Sequence, residues 1–193
     1  YTVLIETQGM HQKENTTSFE VMLSEAFSEG LISDAVIAKN MAERDKLWAI
    51  RDDVNQAIQL APIWAFDVSL AISAMEDYVN DVKNALNERW SKNSLFTYGH
   101  LGDGNLHLLP SVGDGSDETK FAIEKIIYEG IRKRNGSISA EHGIGHHKTA
   151  WLSYTRTSVE IALMKKIKQT FDPQNILNPG KIFGEDTCTI LTE

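Results

Sequence analysis

The six histidines of this 193-residue sequence are unevenly spread, and five of them fall between positions 100 and 147. Two enclose the run Gly99-His100-Leu101-Gly102-Asp103-Gly104-Asn105-Leu106-His107. In one straight strand, positions 100 and 107 would face opposite sides, because the side-chain period is two. Asp-Gly pairs favour tight turns with positive φ, so a reversal at Gly102-Asp103-Gly104 would bring the two imidazoles back toward one point. Two imidazoles with a carboxylate nearby are a typical site for zinc or another divalent first-row metal. The carboxylate candidate is Glu141, in Ser139-Ala140-Glu141-His142-Gly143-Ile144-Gly145. In an extended segment, His142 would point away from Glu141. That divides the labour, with Glu141 on the metal and His142 at the reacting centre. The two following glycines let the backbone approach a ligand closely. Single histidines are more often surface or hydrogen-bonded residues than ligands, so spacing alone leaves a metal centre and incidental histidines both open. His146 and His147 read as part of a solvated loop or helix start, and His11 has no evident partner.

The elements that would position these groups can be read from periodicity and punctuation. Residues 1–7 are rich in β-branched and aromatic side chains and read as a strand, as do residues 35–38, 63–68, 94–98 and 106–109. Thr17 and Glu20 have capping-box spacing ahead of Phe19, Met22, Leu23, Ala26 and Phe27, and Gly30 is placed to end that helix. Residues 40–58 read as a second helix with Leu47, Ile50, Val54 and Ile58 in phase, followed by Pro62. Ser73 and Glu76 suggest another capping box, before an apolar stripe of Ile72, Met75, Tyr78, Val79, Val82 and Leu86. Asp117 is the expected cap of a helix carrying Ile123, Ile126, Ile127 and Ile131, stopped by Gly136. A last helix runs from Thr157 and Glu160 to Phe171. Strands and helices alternate, then a hairpin, then helix. The expected class is α+β: a ferredoxin-like, mostly antiparallel sheet with helices on one face, plus a C-terminal helical segment.

Composition bounds the function. Hydrophobic residues make up 41%, enough for a sizeable core. A formal net charge of −8 argues against nucleic-acid binding, which depends on Lys and Arg neutralising phosphates. The single cysteine, Cys188, cannot form an intrachain disulfide. No apolar run reaches the roughly 18–20 residues of a membrane helix. The chain opens at Tyr1, in a strand-like run and without a methionine, and is expected to be a fragment of a longer protein.

Taken together, Gly99 to His107, Ser139 to Gly145 and Asn178-Pro179-Gly180-Lys181 resemble the C-terminal domain of FAD-linked oxidases, in the branch of D-2-hydroxyglutarate and D-lactate dehydrogenases. The resemblance runs from about Tyr1 to Phe183. It implies that residues 1–193 form a substrate-side cap domain, with FAD held mainly by an N-terminal domain outside this chain. It implies that His100, His107 and Glu141 are metal ligands, with zinc the expected ion, and that His142 is the catalytic histidine. It places Asn178 and Lys181 on the cofactor side. Leu47-Trp48-Ala49-Ile50-Arg51 resembles an element whose arginine grips the substrate carboxylate, which a guanidinium does by a two-pronged, charge-assisted pair. By itself, Arg51 reads as a salt-bridged residue on a solvated helix.

The sequence departs from the 2-hydroxyglutarate branch at three places. Asn55 stands for a threonine, Ala65 for a lysine and Leu109 for an asparagine. The last two changes remove partners for a distal carboxylate, so a D-lactate-like acid is expected rather than 2-hydroxyglutarate. The resemblance thus implies a 2-hydroxyacid dehydrogenase that passes electrons to an acceptor the sequence does not specify, in the cytoplasm or the mitochondrial matrix. A homodimer is a further expectation, and the chain alone is expected to be inactive. Two other classes compete: a metal-dependent hydrolase using the same cluster, and a non-catalytic ferredoxin-like binding domain.

Overall fold

The structure, a computed structural model, describes residues 1–53, 56 and 59–184. Val54, Asn55, Ile58 and Cys188 lie outside the described residues. The chain divides into two compact units, the boundary falling after Gln56.

The first unit holds two helices, α1 (Gln12–Ser28) and α2 (Met41–Asp52). Helix α1 starts five residues before Thr17, with His11 at its N-cap. The Thr17 hydroxyl donates instead to the Lys13 carbonyl one turn back, at 3.1 Å, a bond open to threonine inside a helix. Asn40 caps α2 by accepting from the Glu43 N–H, while the Glu43 carboxylate accepts from the Lys39 N–H at 2.9 Å. Residues 1–7 and 35–38, expected as strands, join no sheet among the described residues. Strand propensity reflects fit to a pleated, partnered surface, and without a partner it does not make a strand.

The second unit is the α+β body. Its elements are β1 (Phe66–Ser69), α3 (Met75–Arg89), β2 (Ser94–His100), β3 (Asn105–Ser111), α4 (Asp117–Arg132) and α5 (Ser158–Phe171). The sheet is antiparallel throughout, in the order β1-β3-β2. A ferredoxin-like sheet has a fourth strand; here its place beside β1 holds a single bridge, Ser69 to Ser137. One face of the sheet presents Phe66, Val68, Leu106 and Leu108. They form one buried cluster with Tyr78, Val82 and Leu86 of α3 and Ile123, Ile127 and Ile131 of α4. The Tyr78 hydroxyl donates to the Ile127 carbonyl at 3.2 Å and ties the two helices together.

Alternation then sends Asp67, His107, Asn105, Tyr98 and His100 to the opposite face. The register places His107 between Asp67 on β1 and Tyr98 on β2, and His100 opposite Asn105. Two predicted caps move by a residue or more. Ser116, not Asp117, caps α4, and α3 follows a short 3-10 turn with no side-chain cap from Ser73. Thr157 and Glu160 form the predicted capping box of α5, which contributes no buried residue.

The β2–β3 connection is a 3-10 turn, Leu101–Asp103, closed by Gly104 in the left-handed region at φ 71. A Cβ there would lie 2.5 Å from the Leu70 carbonyl oxygen, so conformation and space both require glycine. Gly104→Ala is expected to destabilise the fold by about 2 kcal/mol, read as a lower midpoint in denaturant unfolding. An unchanged midpoint would contradict this turn geometry.

Candidate metal centre and catalytic histidine

The turn does what the Asp-Gly signal implied. His100 ends β2, His107 lies two residues into β3, and both rings reach the sheet face away from the helices. His100 Nδ1 lies 2.9 Å from one Glu141 oxygen, and His107 Nε2 lies 3.7 Å from the other. One ligand atom from each of the three residues falls within 4.8 Å of the other two. Tyr98 stacks on His107 with ring centroids 4.8 Å apart and closes one side of the ring. The His142 ring lies 5.7 Å from that of His107. His100, His107, Glu141 and His142 are therefore together in one place.

The segment carrying Glu141 and His142 is not extended, contrary to the expectation that would have turned the two side chains apart. It bends around Asp67. Asp67 Oδ2 accepts from the backbone N–H groups of Ala140 at 3.1 Å, Glu141 at 3.0 Å and His142 at 2.9 Å, and from the Ser139 hydroxyl at 3.0 Å. Asp67 Oδ1 accepts from the Glu141 N–H as well, at 3.1 Å. Successive N–H groups turned onto one anion curl the backbone, which lets consecutive side chains reach the same neighbour. Lys148 arrives from the far end of the loop. Its ammonium donates to the Asp67 carbonyl at 3.1 Å and lies 3.6 Å from Oδ2. Asp67, His107 and His142 also group closely enough to hold an ion. The Asp67 oxygens are already spent on these donors, so the trio of His100, His107 and Glu141 is the better ligand set.

Burial lowers the pKa of His107, because desolvation outweighs the raising influence of the Asp67 and Glu141 charges. The ring is thereby kept neutral, the state a metal ligand needs. Asp67 is fully buried, and burial alone would raise its carboxyl. The N–H groups of His142 and Glu141, then the Lys148 charge and the Ser139 hydroxyl, more than offset this and hold it below the usual carboxylate value. Burial in turn lowers the Lys148 ammonium, with Asp67 opposing.

Asn105 joins the centre from β3 and is almost wholly buried. Its Nδ2 lies 3.3 Å from His100 Nδ1 and 3.4 Å from His107 Nε2, while its Oδ1 has no partner among the described residues. Inverting that amide, an assignment that rests on the hydrogen-bond network, would turn an oxygen toward the point the imidazoles share. An orphaned buried oxygen beside a nitrogen and carboxylate donor set fits a cation.

The other predicted residues are more scattered. Asn178 has φ 51, and Lys181 donates its N–H to the Asn178 carbonyl at 3.3 Å. This segment is bonded to the end of the His142 loop, with Ile182 N–H to the Gly145 carbonyl at 2.8 Å and His146 Nδ1 at 3.1 Å from the Gly180 carbonyl. Arg51 belongs to the first unit, near the end of α2, where it pairs with Asp52 at 3.0 Å. Ala65 is exposed just before β1, and Leu109 is buried on β3, two residues along from His107. Asp67, Asn105, Lys148 and Tyr98 were missed as contributors. A signal existed for Asp67, since it is the one charge inside the apolar run from Phe66 to Val68. Nothing in the local sequence marks Lys148.

Residues 1–182 match a family model described as the C-terminal domain of FAD linked oxidases. The mitochondrial D-2-hydroxyglutarate dehydrogenase of Arabidopsis thaliana is 37% identical over 94% of this chain and 32% of its own length. The D-2-hydroxyglutarate–pyruvate transhydrogenase of Saccharomyces cerevisiae is 36% identical over 94% of this chain and 38% of its own. A putative mitochondrial D-lactate dehydrogenase of Schizosaccharomyces pombe is 32% identical over 94% of this chain and 36% of its own. The chain thus spans about a third of the length of the curated relatives it matches. Among the described residues, no helix is long and apolar enough to cross a membrane.

The lowered Asp67 carboxyl makes the loop's anchorage pH-dependent. A depressed folded-state pKa contributes stability that is present above the unfolded value, about 4, and is lost as pH falls through the folded value. Asp67→Asn leaves Lys148 buried without its counter-charge and is expected to cost about 3 kcal/mol near neutrality. The gap between wild type and variant should narrow below about pH 4 in denaturant unfolding. A gap that does not change with pH would show that the charge of Asp67 contributes nothing.

Proposed function

The chain belongs to the family of FAD-linked oxidases, as their C-terminal domain, and on that premise we propose that it is the substrate- and metal-binding part of a flavin-dependent dehydrogenase oxidising a 2-hydroxyacid to a 2-oxoacid. The observation that carries this reading is the convergence of His100, His107 and Glu141, with His142 beside them, on one face of the sheet.

The reaction removes a proton from the substrate hydroxyl and a hydride from the carbon that bears it. FAD would supply the hydride acceptor, and a divalent ion held by His100, His107 and Glu141 would supply a positive charge that makes the substrate hydroxyl more acidic. The chain's own residues bind, orient and move the proton. His142 takes the hydroxyl proton as general base, a role worth about 10²–10⁴-fold. Its Nδ1 lies 4.0 Å from Asp67 Oδ2. Tyr98 and Asn105 hold the face of the centre that looks into the protein. Arg51 is assigned the substrate carboxylate. Asn178 and Lys181 are assigned the flavin side, in keeping with the bonds of their segment to Gly145 and His146. The reading includes an N-terminal FAD-binding domain as the chain's partner, a homodimer, zinc as the ion, and a mitochondrial-matrix or cytoplasmic location.

For the substrate, a small 2-hydroxyacid with one carboxylate, such as D-lactate, is favoured. Ala65 and Leu109 offer neither charge nor amide to a second carboxylate. Two of the three relatives described above carry D-2-hydroxyglutarate in their names, so this preference rests on the side chains alone.

In the full-length flavoprotein, His142→Ala should retain flavin and metal, yet reduce its flavin with 2-hydroxyacid at least about 100-fold more slowly. His107→Ala should lose the divalent ion, measured by elemental analysis. Near-normal flavin reduction by the His142 variant would sink the assignment. With both acids offered to the wild type, kcat/KM should be higher for D-lactate, and a preference for D-2-hydroxyglutarate would overturn the substrate reading.

A further inference from the structure

Consecutive residues in an extended chain send their side chains apart, yet Glu141 and His142 both come to His107. The cause lies beneath them. A buried carboxylate on β1 collects three successive backbone N–H groups, those of Ala140, Glu141 and His142. Ser139 adds its hydroxyl on the approach to the bend. The loop returns to the same residue at Lys148, whose ammonium bonds the Asp67 carbonyl. Between these two attachments stand Gly143 and Gly145, at φ 74 and 54, which absorb the reversal. The whole segment from Ser139 to Lys148 is therefore closed at both ends on a single residue. That residue pairs across the sheet with His107, one of the groups the loop must face.

We propose that Asp67, with Lys148 as its counter-charge, is the positioning residue that sets the ligand Glu141 and the base His142 together against His107. The proposal rests on the roles given to Glu141 and His142 above. Asp67 touches neither substrate nor metal and acts through the backbone it holds. Two alternatives in the same region are weaker. Asp67 as a metal ligand is disfavoured because its oxygens are filled by donors. Apolar packing reaches the loop at Ile144, which lies against the core, but it does not place Glu141 and His142, which are exposed. The carboxylate fixes distance as well as direction, since a ligand set needs its donors placed within about half an ångström.

The test compares four full-length flavoproteins: wild type, Asp67→Asn, Lys148→Met and Tyr78→Phe. The Asn variant keeps the shape of the side chain and one accepting oxygen, and removes the charge and the second acceptor. The Met variant keeps the N–H contacts and removes the counter-charge, so it preserves a readout if the Asn variant fails to fold. The Tyr78 variant breaks the hydrogen bond between α3 and α4 and serves as a control for general loosening. Three quantities are read: hydrogen–deuterium exchange across residues 139–145, Co²⁺ affinity from its visible absorption, and the steady-state constants at saturating metal.

Asp67→Asn should speed loop exchange about tenfold or more, weaken Co²⁺ binding about 10–100-fold, and lower kcat with KM changed less than about threefold. Lys148→Met should move the same quantities in the same direction by less. Loop exchange and Co²⁺ affinity unchanged in both variants would overturn the proposal. So would equal changes in Tyr78→Phe, which would mark them as loss of stability alone. If no protein in the set binds Co²⁺ while Asp67→Asn still frees the loop, the metal reading falls and the positioning role stands.

Discussion

One buried carboxylate organises the functional half of this molecule. Asp67 sits on a four-residue strand, excluded from solvent, and takes donors from Ser139, Ala140, Glu141 and His142. An ionised carboxylate in such a place is costly unless paired and hydrogen-bonded. The loop and Lys148 provide both, so the need to satisfy Asp67 dictates how the chain after α4 must fold. Removing any one donor would leave part of that charge uncompensated. The loop's path is therefore an electrostatic consequence of where β1 places its single charge.

The sheet divides labour between its two faces. One carries Phe66, Val68, Leu106 and Leu108 into the core with α3 and α4. The other carries Asp67, Asn105, His107 and Tyr98. Strand periodicity makes this division automatic once the antiparallel register is set, and the register aligns Asp67, His107 and Tyr98 across three strands. Burial on that second face has a chemical result. It keeps the His107 imidazole neutral, while hydrogen bonds and Lys148 keep Asp67 charged. Similar depth thus has different outcomes, because Asp67 has donors and a counter-charge that outweigh its burial, whereas the negative charges near His107 do not outweigh its own.

The same loop links two parts of the site. Gly145 and His146, just beyond Glu141 and His142, bond to the backbone of Ile182 and Gly180. The segment carrying Asn178 and Lys181 is therefore tied to the loop through one backbone bond and one contact from the His146 ring. The positive φ of Asn178, Gly180 and Ile182 shows how tightly that segment is turned. Helix α5 holds the same segment from its own end, with Lys168 donating to the Leu177 carbonyl and Asp172 accepting from the N–H groups of Ile176 and Leu177.

Much of the local structure was legible in the sequence because its causes are local. The Gly-Asp-Gly turn, the capping box of α5 and the apolar stripes of α3 and α4 follow from backbone preference and periodicity within a few residues. The same turn chemistry brought His100 and His107 together, and the shared motifs identified the family. Residues 1–7 and 35–38 misled, because strand propensity needs a partner that the described residues do not provide. What only the tertiary structure decided was the bend that turns Glu141 and His142 to the same neighbour. That bend depends on a carboxylate more than seventy positions earlier and on an ammonium that nothing in its own surroundings marks. Sequence determined which groups were available for chemistry. Their alignment awaited the fold, because buried charge is satisfied by whatever the chain brings near in space.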